Sequence, residues 1–170
     1  AAEVPVKPLP QAHAHNDYEH ERPLFDALAR GFCSVEADVW LVDDELLVGH
    51  DRKDLKAGRT LESLYLRRLV ERVRANDGRV YRDAPAFHLL IDVKSEAEAT
   101  YQKVHDALEK YGEILTSYSD GRRQVRAVTA IFIATTWNRS KHSCHARLIR
   151  CRASSFIAGR TRCSTTGSRI

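Results

Sequence analysis

SVEADVWLVDDELLVGH, residues 34–50, reads as a strand, a tight turn and a second strand, and the rest of the fold can be worked out from it. Val35, Ala37 and Val39 alternate with Glu36 and Asp38, so the apolar trio faces one side and both carboxylates the other. Asp43 and Asp44 supply turn chemistry, and ELLV carries the chain back to Gly49 and His50. Two carboxylates at i and i+2 concentrate negative charge on a strand lined by Val, Ala and Trp, which is costly unless something neutralises it. A hard divalent cation, Mg²⁺ or Ca²⁺, would do so. An arginine or a helix end would serve as well, and spacing alone leaves the choice open.

On the N-terminal side, PQAHAH is a short extended segment, and RPLFDALARGF reads as a helix of about two turns stopped by Gly31. On the C-terminal side, Thr60 caps LESLYLRRLVERVR, where Leu66, Leu69, Val70 and Val73 keep helical spacing. FHLLIDVKS is an apolar strand whose last polar residues, Asp92 and Lys94, share a face. AEATYQKVHDALEKY predicts an amphipathic helix with Ala97, Tyr101, Val104, Leu108 and Tyr111 on one stripe, and VRAVTAIFIATT one more buried strand. Strands separated by helices imply βαβ units, hence a parallel sheet with helices outside it. Active groups in such sheets gather at the carboxyl ends of strands.

Four elements deliver polar groups to that rim: His13 and His15, Glu36 and Asp38, His50, and Asp92 with Lys94. Asp92 would add a third oxygen ligand to a cation. A histidine pair can supply the base and the acid that displacement of an ester oxygen at phosphorus requires. His50, set beside a glycine in VGHD, is the better placed of the isolated histidines, whereas His20 and His105 read as exposed and His88 as a strand start. Lys94 reads either as a group that holds a phosphoryl oxygen or as a solvated strand-end lysine. Arg67 and Cys33 read as structure only.

Composition bounds the rest. A chain of 170 residues, 43% hydrophobic and 29% charged, predicts one domain with one core. It has no run of 18 apolar residues, which excludes a transmembrane helix of ordinary length. The opening AAEVPVKPLPQ resembles a chain whose signal peptide has been removed, so secretion is expected. Residues 121–170 hold 11 of the 27 Lys+Arg and none of the 23 Asp+Glu, together with Cys144, Cys151 and Cys163. The spacing of those cysteines matches no common zinc pattern.

HAHNDYEHERPLFDAL, SVEADVWLVDDELLVGH, RTLESLYL and LLIDVKS, in that order between about residues 11 and 131, together resemble the PLC-like phosphodiesterases. That superfamily of TIM barrels includes the glycerophosphodiester phosphodiesterases and phosphatidylinositol phospholipases C. The branch most resembled is the secreted HNDY branch related to altered inheritance of mitochondria protein 6. The resemblance implies catalytic roles for His15, with His13 as the alternate, and for His50. It implies metal ligation by Glu36, Asp38 and Asp92, a catalytic and substrate-binding role for Lys94, and substrate binding by Asn16. Asp17, Glu19 and Glu21 would shape the rim.

The implied activity is that of a phosphoric diester hydrolase, dependent on Mg²⁺ or Ca²⁺, acting on a glycerophosphodiester or phospholipid headgroup. Transient contact with a membrane surface is expected and specific nucleic acid is not. The implied fold is α/β, a TIM (β/α)8-type barrel truncated to about its first half, because a full barrel takes about 250 residues. Residues 1–131 would form that part, and residues 132–170 a basic tail, out of frame or disordered. The rival expectation is a non-catalytic secreted binding protein or inactive fragment on the same scaffold, its basic tail suited to polyanions.

Overall fold

The computed structural model describes residues 6–133. The expected basic tail falls almost wholly outside them. Five strands form one sheet: β1 (Leu9–Ala14), β2 (Phe32–Val42), β3 (Glu45–Val48), β4 (Phe87–Val93) and β7 (Val128–Ile133). The order β1-β2-β4-β7 is parallel throughout, and β3 pairs antiparallel with β2. The helices are α1 (Phe25–Ala29), α2 (Arg67–Ala75) and α3 (Ala97–Glu109), and each lies between successive parallel strands in the chain. The expected parallel α/β architecture is therefore present, while barrel closure is not seen among the described residues.

The strands form where period-two alternation gives the sheet one apolar face. Val35, Ala37 and Val39 on β2, Phe87, Leu89 and Ile91 on β4 and Val128 on β7 have no solvent exposure. They share a core with Leu28 of α1, Leu69 and Val73 of α2 and Val104 and Leu108 of α3. The opposite face of β2 and β4 carries Ser34, Glu36, Asp38, His88, Leu90 and Asp92, with Glu36 beside Leu90 and Asp38 beside Asp92 in register. Packing helices on one face thus turns every carboxylate of the set to the other.

Strand pairing also leaves a notch. β1 pairs with β2 only as far as Ala14 opposite Val35, and β3 joins β2 at Val39 opposite Val48. Val39 also pairs with Val93 of β4, which places β3 on the edge of β2 away from β4. Glu36 and Asp38 lie between the two junctions, next to where the chain leaves β1 and where it leaves β3. The glycine that ends α1 is required there: Gly31 has φ +83°, and a Cβ would collide with the Lys7 carbonyl oxygen.

Some local expectations need correction. Thr60 does cap the second helical segment, its hydroxyl accepting from Ser63 N–H while Ser63 Oγ accepts from Thr60 N–H. The following turn, Glu62–Leu66, is π-helical and becomes α-helical only at Arg67. In α3 the buried stripe is Thr100, Val104, Ala107 and Leu108, with Ala97 exposed and Tyr101 at its margin. A small hairpin, β5 (Ser117–Ser119) and β6 (Arg122–Gln124), precedes β7. Its strands lack apolar alternation, but its turn has Asp120 and Gly121 both at positive φ, and that Asp-Gly pair is the signal that could have revealed it.

Candidate metal and catalytic site

Glu36, Asp38 and Asp92 converge, with one carboxylate oxygen from each lying within 4.8 Å of the others. All three are buried, at 8%, 1% and 3% exposure. The two oxygens of Asp38 differ sharply. Oδ2 accepts from Tyr18 OH at 2.8 Å and lies 3.1 Å from Lys94 Nζ and 3.2 Å from His50 Nδ1. Oδ1 is buried with no hydrogen-bond partner among the described residues.

Lys94 Nζ also lies 2.7 Å from Asp92 Oδ2. Burial disfavours the ammonium charge, but the hydrogen bonds to Asp92 and Asp38 outweigh it and raise the Lys94 pKa above its ordinary 10.5. Lys94 thus offsets part of the negative charge that three buried carboxylates concentrate. Three clustered hard oxygen donors and an orphaned carboxylate oxygen together fit a hard divalent cation such as Mg²⁺ or Ca²⁺.

The histidines flank this cluster. His15 Nε2 lies 3.3 Å from Glu36 Oε2, and that oxygen also accepts from Asn16 N–H. His50 reaches Asp38 from the end of β3. Both rings are open to solvent, with 73% and 52% of their side chains exposed, so each can meet a ligand from outside. His13 stands two residues earlier, beside Ser34 rather than a carboxylate, at 2.9 Å from its hydroxyl. The structure thus gathers His15, Asn16, Glu36, His50, Asp38, Asp92 and Lys94 and leaves His13 aside.

Asp17 does not shape the rim. It is wholly buried, and its Oδ2 accepts from Leu24 N–H at 2.6 Å and from Tyr65 OH at 3.0 Å. Leu24 needs that bond, because it occupies the strained form of a γ-turn at φ 65° and ψ −49°, with Phe25 N–H on the Pro23 carbonyl. Arg59 donates to the Tyr18 carbonyl at 2.6 Å, so the loop carrying His15 is held from two further elements. His105, expected on an exposed helix face, is half-buried with its ring 6.4 Å from that of Tyr101. His88 is half-buried at the start of β4, and burial, with Arg123 nearby, keeps its pKa below the ordinary 6.5.

Burial raises the Asp17 carboxyl above its ordinary 3.8, and the bonds from Leu24 and Tyr65 offset this only in part. The folded chain therefore holds that proton more tightly than the unfolded one. Its contribution to stability is fullest below 3.8 and is lost as pH rises through the folded value. Asp17→Asn keeps an acceptor for Leu24 and removes the titration. In urea unfolding across a pH series, the stability of the wild type relative to Asp17→Asn should fall as pH rises from 3.8; a pH-independent difference would contradict the assignment.

The strand ends of one parallel α/β sheet thus gather three acids, a lysine and two histidines. The chain belongs to the AIM6-like phosphodiesterase domain family, whose pattern matches residues 3–147. It is 42% identical over 116 residues to altered inheritance of mitochondria protein 6 of Lachancea thermotolerans, a match covering 59% of this chain and 27% of that protein. Against the protein of the same name in Eremothecium gossypii the identity is 40% over 121 residues, covering 63% and 31%. The homolog in Arthroderma benhamiae is 33% identical over 123 residues, covering 61% and 39%. The chain thus spans between about a quarter and two fifths of the length of these relatives. No solved structure matches it.

Proposed function

We propose that this domain hydrolyses a phosphodiester, of the glycerophosphodiester or phospholipid-headgroup class, with a divalent cation held by Glu36, Asp38 and Asp92. The observation that carries the reading is the pair of accessible histidines on separate carboxylates of one buried cluster. When bound, Mg²⁺ or Ca²⁺ would neutralise charge on a non-bridging phosphoryl oxygen. The chain's own groups would do the rest. One of His15 and His50 takes the proton of the attacking hydroxyl, and the other protonates the leaving oxygen. Lys94, fixed between Asp38 and Asp92, keeps the cluster from carrying its full negative charge and can offer a donor to a phosphoryl oxygen. Asn16, in a left-handed conformation at φ 49°, turns the backbone so that His15 and the following loop face the notch. A secreted setting with transient contact at a lipid surface belongs to the same proposal.

The test is hydrolysis of glycerophosphocholine and of bis-p-nitrophenyl phosphate by the purified chain, with and without EDTA. His50→Ala is expected to lower turnover by about 10²–10⁴-fold, the usual contribution of a general acid or base. Activity that survives both EDTA and His50→Ala would sink the proposal. Saturable cation binding without any hydrolysis would favour a binding scaffold that keeps the family site.

A further inference from the structure

Tyr18 has a ring only 4% exposed and a hydroxyl among three polar groups of the site. It is 2.8 Å from Asp38 Oδ2, 3.0 Å from Asn16 Oδ1 and 3.4 Å from His50 Nδ1. A phenol has one proton to give. The nearest and the only charged acceptor of the three is Asp38, so the proton belongs on that bond, and a phenol–carboxylate bond is of the stronger, charge-assisted kind. We infer that Tyr18 is a positioning residue: its hydroxyl pins Asp38 by Oδ2 and so presents the partnerless Oδ1 to the cation. This rests on the cation site proposed above.

Three observations support it. Lys94 and His50 approach the same oxygen as Tyr18, so all the described partners of Asp38 lie on one side of the carboxylate. The other oxygen stays buried and unpartnered, an arrangement that costs free energy and is explained if a ligand completes it. Tyr18 itself has little room to swing away, because it is 4% exposed and its carbonyl accepts a hydrogen bond from Arg59. Groups that orient a metal ligand from behind typically govern cation affinity without touching the ion.

The test is calorimetric titration of Mg²⁺ and Ca²⁺ into the full chain, wild type, Tyr18→Phe and Tyr65→Phe. Tyr18→Phe keeps the ring and loses only the hydroxyl. It is expected to weaken cation binding about 10-fold or more. Tyr65→Phe removes a hydroxyl from the Asp17 anchor of the same loop and is expected to lower the melting temperature while leaving affinity unchanged. Equal affinities for wild type and Tyr18→Phe would overturn the positioning role alone. A wild type that binds neither cation would overturn the cation site and the positioning role with it.

If Tyr18→Phe does not fold, the wild type still decides. The Tyr18 hydroxyl proton, held against a buried carboxylate, should give a resolved proton resonance that moves when Mg²⁺ is added. A resonance that stays in place while Mg²⁺ binds would overturn the inference.

Discussion

Asp38→Asn is expected to abolish saturable binding of Mg²⁺ and Ca²⁺, with affinity falling by more than about 100-fold, beyond the range seen for outer groups of a metal site. The substitution is nearly isosteric, so the loss reports charge and donor quality rather than shape. Asp38 is the least exposed of the three acids and the one with a buried oxygen that lacks a partner. An amide there removes one carboxylate charge from the cluster and places a neutral group where a hard anion would bind. Lys94, still facing Asp92, then offsets a larger share of what remains. Calorimetry on the purified variant, with far-ultraviolet dichroism to establish that it is folded, gives the answer. Wild-type affinity in folded Asp38→Asn would remove Asp38 from the ligand set.

Asp17→Ala is expected to be strongly destabilising, costing on the order of 3 kcal/mol of stability. The carboxylate satisfies two buried donors at once, the Leu24 amide and the Tyr65 hydroxyl, and truncation strands both. It also releases the strained turn at Leu24, whose side chain is wholly buried. Denaturant unfolding of the wild type and Asp17→Ala measures the cost. A difference of only a few tenths of a kcal/mol would mean that the loop rearranges to satisfy those donors another way. Arg59 still holds the Tyr18 carbonyl in this variant, so its folded fraction should keep cation affinity, which separates it from Tyr18→Phe.

Much of the site could be read from local pattern. Glu36 and Asp38 fall together because side chains on a strand alternate, and Asp92 joins them because β4 pairs with β2 in a register that sets Asp38 beside Asp92. The two histidine positions were legible as residues that follow strands. The function of the other members of the opening motif was not. Asp17 lies in a run of polar residues, HNDYEHER, that suggests an exposed loop, and nothing local says that it is wholly buried. Tyr18 in the same run carried no signal of its own, since its partners Asp38 and His50 are 20 and 32 residues away.

The sequence by itself therefore determined the order of the elements that build the main sheet, the parallel α/β architecture and the face on which the acids lie. Those depend on periods of two and of about 3.6 residues, which any stretch of chain carries locally. Only the tertiary structure decided that β1 and β3 leave a notch opposite Glu36 and Asp38, that Lys94 sits between two acids, and that Asp38 has one engaged and one orphaned oxygen. These features depend on where distant segments stop and which atoms they bring within hydrogen-bond reach. That geometry is set by packing of the whole core, and no local spacing encodes it.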